Sequence, residues 1–256
     1  MEKKEKSDDF LFNLFKRLDQ VQTNNRKPSR KIAIFSTPRS GSSYFCDMLS
    51  QTKIFGEPLD WFHNRFYLAY GKKFGQKKIN LNEYTNYIIT KTSSESGIFS
   101  TKIQIPDYFF LLNEKKFDLL SLDFDDIILI NRRDKIAQAY SLTKALISDQ
   151  WFSFRFSFIK PSSEVNLDSI KNSDVLRQLH NIVLWEELFE SHVWNKPALK
   201  YIYEDFIKQN DFLNIVLKDL KISTSFETDI KSHLLKQTTQ HDLIRIEQLK
   251  KSINLN

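Results

Sequence analysis

Four short apolar runs set the first constraint on this chain: Lys31 to Phe35, Gly97 to Ile103, Asp126 to Ile130 and Leu199 to Tyr203. Each has strand length and is apolar at most positions rather than at alternate ones. A strand with one wet face alternates, whereas a near-continuous run belongs to a strand covered on both faces. Between and after the runs lie stretches with helical spacing: Ile136 to Phe152, Asp174 to His192, Asp205 to Leu220 and Thr228 to Lys251, with Tyr44 to Leu49 restarting that spacing behind the first run. Strands separated by helices predict an α/β, three-layer fold, a mostly parallel central sheet flanked by helices. Ahead of it, residues 8 to 20 read as an amphipathic helix capped by Asp8 or Asp9, with Phe10, Leu11, Leu14, Phe15 and Leu18 on one face. Asn24 to Pro28 break it, so the expected organisation is a helical extension over 1–28 and a single domain over 29–256.

Charge and rare residues narrow the chemistry. A net charge of +6 suits a small anionic ligand. Without a Lys/Arg tract interleaved with aromatics, nucleic acid is not an expected partner. Cys46 is the single cysteine, which rules out an intramolecular disulfide and points to a reducing compartment; packing is its expected role. No apolar segment backs the charged N-terminus, and no run approaches the ~20 residues that span a bilayer. The expectation is a cytoplasmic protein without signal peptide or membrane span. The five histidines are scattered, so no metal site is expected. The basic stretch Gly71 to Lys78 reads as a surface loop, or more sharply as a lid over an anion. With 22 phenylalanines in the chain, core packing is the first expectation for any aromatic.

The segment Phe35-Ser36-Thr37-Pro38-Arg39-Ser40-Gly41-Ser42-Ser43-Tyr44 joins the first strand to the first helix behind it. It spends one of only 5 glycines. Amides at a helix start lack intrahelical partners and carry the positive end of the dipole. With Gly41 permitting close backbone approach, Ser40, Ser42 and Ser43 adding hydroxyls and Arg39 adding charge, the turn reads as a phosphate cradle. The fold is therefore P-loop-like, but the segment is no Walker A loop, since the closing Gly-Lys-[Ser/Thr] is missing. Walker A proteins hold Mg²⁺ to neutralise a polyphosphate; a donor whose leaving group is less highly charged can manage with an arginine and oriented amides.

Four elements together resemble the bacterial trehalose 2-sulfotransferase family, within the sulfotransferases that use 3′-phosphoadenosine 5′-phosphosulfate (PAPS). They are Thr37-Pro38-Arg39-Ser40-Gly41-Ser42-Ser43, then Gly56-Glu57-Pro58-Leu59-Asp60-Trp61-Phe62, then Ser100-Thr101-Lys102-Ile103, and Asn131-Arg132-Arg133-Asp134 continuing to Ser141. Lys236-Gln237-Thr238 is a looser match, and the likeness spans Lys31 to Lys251. The resemblance implies that Arg39, Ser40, Gly41, Ser42 and Ser43 hold the 5′-phosphosulfate, with Arg39 stabilising charge as the S–O bond breaks. It implies that Arg132 and Ser141 bracket the 3′-phosphate, with Arg133 competing for the arginine's place. It puts the general base at Asp60, where the family carries glutamate, with Glu57 and His63 as alternatives. Glu57, Trp61 and Lys102 are candidate acceptor contacts; Phe62 and Trp151 are further aromatics that a sugar face can stack on. The implied reaction is metal-independent transfer of a sulfuryl group to a hydroxyl of a carbohydrate or glycolipid, and a homodimer is among the assemblies the family forms. Two other readings compete: a non-catalytic relative binding PAPS, its spent product or a sulfated glycan, and an atypical nucleotide kinase.

Overall fold

The computed structural model describes residues 11, 13–20, 27–151, 169–193, 196–225, 230, 232–234 and 237–254. Its sheet has four strands in the order β2-β1-β3-β4: β1 Arg30–Ser36, β2 Ile98–Gln104, β3 Asp126–Asn131 and β4 Ala198–Ile202. It is mostly parallel and flanked by helices. Each predicted apolar run is a strand, and β1 is buried from Ile32 onward. Every connection between consecutive strands contains helix, as parallel neighbours require.

The chain divides into two compact units, residues 1–35, 49–129 and 197–199 in one, and 36–48, 130–196 and 200–256 in the other. In the first unit, residues 13–20 form α1, whose buried Leu14, Phe15 and Leu18 bear out the apolar face read there; Asp8, Asp9 and Phe10 lie outside the described residues. Phe15 packs against Tyr70 and Tyr87 at ring-centroid distances of 6.3 and 6.2 Å. Those two residues belong to α3 (Asn64–Lys73) and α4 (Leu81–Thr92). The third helix here, α5 (Ile105–Glu114), follows β2 directly with Pro106 in its first turn, where a missing N–H costs nothing. None of α3, α4 and α5 stood out from periodicity, and α3 corrects the basic-loop reading, because Gly71, Lys72 and Lys73 form its last turn.

In the second unit, α2 (Ser42–Gln51) starts straight after the serine-rich turn. Its Phe45 packs among Tyr201, Phe206 and Phe212 at 5.4 to 5.8 Å. Helices α6 (Lys135–Ser148) and α7 (Asn172–His192) fall where helical spacing placed them, α6 stopping short of Phe152. Ala139, Tyr140, Ile182 and Leu249 join them to α10 (Gln240–Asn254) in one core. The predicted helix over Asp205 to Leu220 is in fact two, α8 (Tyr203–Phe206) and α9 (Phe212–Asp219). The break falls at Gln209-Asn210-Asp211, residues whose side chains compete for backbone hydrogen bonds. Thr228 and Lys236, at the start of the predicted last helix, lie outside the described residues.

Candidate functional site

The turn after β1 is braced from behind by α6 and α7. Gln138 Nε2 donates to Thr37 Oγ1 at 2.8 Å and to the Pro38 carbonyl at 2.9 Å. Thr37 in turn donates to Glu186 Oε1 at 2.8 Å, and Lys135 closes the group with a 2.6 Å ion pair to Glu186. Ser36 Oγ donates to Ser42 Oγ at 2.9 Å. The first helical bond of α2 runs from Phe45 N–H to Gly41 O, so positions 42 to 44 are the N-terminal amide positions that helical bonding leaves over.

Gly41 has φ +90°, and a Cβ there would sit 2.1 Å from Tyr203 Cδ2. The glycine is thus demanded by backbone conformation and by the ring of Tyr203, a more specific reason than close approach to a ligand. Arg39 also holds a left-handed backbone, φ 65°, which costs a non-glycine residue of order 1 kcal/mol and is typical of functional turns.

Arg39 points its guanidinium at neutral oxygens only. Nε donates to Ser141 Oγ at 2.9 Å, Nη2 to Gln237 Oε1 at 2.7 Å, and Nη1 to the Trp151 carbonyl. Burial, and then the charge of Arg132, press its pKa below the ordinary guanidinium value. Arg132 lies beside it, donating from Nη1 to the Arg39 carbonyl at 3.3 Å and stacking on Tyr203 at 5.1 Å. Its acidic neighbour Glu204 is 3.7 Å away and is committed to the Arg133 and Asp134 amides at 2.9 and 3.1 Å. Arg133 faces solvent in a surface pair with Asp205. Arg39, Arg132, Ser141, Lys144, Gln237 and Thr238 line a cleft of about 430 Å³. Two donors of this group, Ser40 Oγ and Arg132 Nε, are buried without a hydrogen-bond partner among the described residues. Unmet donors beside two guanidinium groups fit an anion.

The acid cluster forms in the other unit. A Cβ on Gly56 (φ +68°) would meet the Thr92 carbonyl at 2.2 Å, so the turn that aims Glu57 and Asp60 admits only glycine. Asp60 Oδ2 pairs with Lys102 Nζ at 2.8 Å, Lys102 being almost fully buried. Glu57 pairs with Arg17 of α1 at 2.8 Å. His63 caps α3, its Nδ1 accepting from the Arg65 amide at 3.3 Å; burial lowers its pKa, against a smaller upward pull from Asp60. Trp61 is fully buried, its Nε1 donating to the Glu57 carbonyl at 2.6 Å. It offers no face to a sugar, and neither does Phe62, also buried. Trp151 is half-buried and packs against the α6–α7–α10 core. Cys46 is a buried thiol. Asp107, in the first turn of α5, has its pKa pushed up to about 7 by burial and then by Asp60, with Lys102 opposing.

The family model of the Stf0 sulphotransferases matches residues 32–251. The chain belongs to the Stf0 sulphotransferase family. Among solved structures it is similar to the sulfotransferase domain of the Synechococcus PCC 7002 olefin synthase, at 14% identity and a TM-score of 0.40, over 91% of this chain and 98% of that one. Among curated proteins there is no match to the sequence. Of the residues that the Stf0 resemblance singled out, the structure gathers Arg39, Ser40, Gly41, Ser42, Ser43, Arg132 and Ser141 in one unit, and Glu57, Asp60, Trp61 and Lys102 in the other. Lys144, Gln138, Glu186, Tyr203 and Asp107 were not singled out; each acts across a sequence separation that no local motif records. Among the described residues of this Stf0 protein, no helix is long and apolar enough to cross a membrane.

Proposed function

We propose that this chain transfers a sulfuryl group from PAPS to a hydroxyl of a carbohydrate or glycolipid. The observation that carries the donor half is Arg39: a half-buried cation, next to a second cation, satisfied only by neutral oxygens. An inward-facing charge without a counter-ion is costly, and an anionic ligand supplies what is missing. PAPS when bound supplies the sulfuryl group and leaves as the adenosine bisphosphate. Arg132 and Ser141 would hold the 3′-phosphate, the start of α2 with Ser40, Ser42 and Ser43 the 5′-phosphate, and Arg39 the charge that develops as the S–O bond breaks. The cluster around Asp60 would take the acceptor's proton, and transfer by in-line displacement calls for no metal. A binding-only protein is the second reading, favoured by one observation, that Asp60 is already engaged by Lys102.

Calorimetry with adenosine 3′,5′-bisphosphate, and separately with ATP and Mg²⁺, tests the donor. Tight binding of the bisphosphate is the expected result; preference for ATP with Mg²⁺ overturns it in favour of a kinase. Labelled-sulfate transfer from PAPS to a panel of disaccharides and glycolipids tests the reaction, and nucleotide binding without transfer to any acceptor favours the binding-only protein.

A further inference from the structure

We infer that Asp107 receives the proton of the acceptor hydroxyl, while Asp60, held by Lys102, serves as a fixed negative charge that orients that hydroxyl. The inference rests on the sulfotransferase reading and concerns only which carboxylate does which task. Both oxygens of Asp60 have donors: Oδ2 the ammonium of Lys102 at 2.8 Å, and Oδ1 the amide of Gln104 at 3.5 Å. A proton arriving there displaces a nearly buried ammonium. Asp107 stands three residues beyond Gln104, at the start of α5. It is half-buried, and no hydrogen bond or ion pair holds it among the described residues. Burial and the neighbouring Asp60 raise its affinity for a proton to the range a base needs at neutral pH. Two carboxyl groups driven apart by their surroundings divide the labour of acid–base chemistry.

The groups acting on Asp107 come from three elements: Asp60 from the turn before α3, Lys102 from β2 and Tyr67 from α3. His63 and Arg65 act on that group through Asp60 and each other. In the step itself the hydroxyl hydrogen passes to an Asp107 oxygen and the acceptor oxygen bonds to sulfur. The bond from sulfur to the 5′-phosphate oxygen breaks, its electron pair staying on that oxygen. Asp107 then releases its proton to water.

The test combines the pH profile of kcat, on whichever panel acceptor is sulfated fastest, with carbon-13 NMR of the full chain labelled at aspartate carboxyls. In the wild type, kcat should rise with pH to a plateau through about 7, and one aspartate should titrate there. Asp107→Asn should remove both the titration and the acidic limb and cut kcat by about 10² to 10⁴, leaving bisphosphate affinity unchanged. Asp60→Asn should slow turnover yet keep a limb, displaced to lower pH, because a neighbouring negative charge has gone. A limb that survives Asp107→Asn, or one that vanishes only in Asp60→Asn, overturns the assignment. Wild-type failure to sulfate any acceptor removes the sulfotransferase reading instead, and the assignment with it.

Discussion

Arg39 and Arg132 differ in what surrounds them, and their variants should differ accordingly. Arg39 contacts three neutral acceptors and no carboxylate, so Arg39→Ala should abolish transfer in a labelled-sulfate assay. Arg132→Ala should weaken bisphosphate binding by about 1.5–3 kcal/mol by calorimetry, the range for hydrogen bonds to charged groups. Arg133→Ala, which loses only an exposed pair with Asp205, should bind nearly as the wild type does. At Asp107 the prediction concerns stability. Its folded pKa, about 7, lies above the ordinary 3.8. The group therefore stabilises the fold at acidic pH, and that contribution is lost as pH rises through about 7. Asp107→Asn should melt above the wild type at pH 8 and with it below pH 4. The gap should be about 1–2 kcal/mol, discounted for the half-exposed carboxyl.

At the scale of elements, α6 is the scaffold of the anion cluster. Lys135, Gln138 and Ser141 recur every three residues along it, and each reaches the turn after β1 or the Glu186 that braces it. Gln138→Ala should cost about 1–2 kcal/mol in bisphosphate binding, the sum of two neutral hydrogen bonds. Circular dichroism should show the fold intact. The same scale shows what was legible beforehand. The four strands were visible because a strand buried on both faces writes an unbroken apolar run. The cradle was visible because strand, turn and helix are adjacent in sequence. Helices α3 and α4 were hidden: their buried residues are tyrosines, glycine and threonines, among Tyr67, Tyr70, Gly71, Tyr84, Thr85, Ile88 and Thr92, and such residues leave little periodic signal. Trp61 misled for a related reason: an aromatic beside an acid reads as a sugar platform until its burial is known. Asp107 was silent because only the fold brings it near Asp60 and Lys102.

At the scale of the molecule, a ligand that binds only the folded chain raises its melting temperature. Adenosine 3′,5′-bisphosphate at about 100 times its Kd should add about 2.7 kcal/mol, a shift of roughly 5–10 °C for a chain of this size. ATP with Mg²⁺ at the same concentration should add little. A scan with both nucleotides checks this, and equal shifts would mean that the cleft ignores the 3′-phosphate. The threading of the chain carries a last implication for anyone redesigning it. Neither compact unit is one continuous stretch: the half that gathers the arginines is assembled from 36–48, 130–196 and 200–256. No single cut in the gene isolates it, and transplanting it onto another scaffold means carrying three pieces and inventing new joins between them.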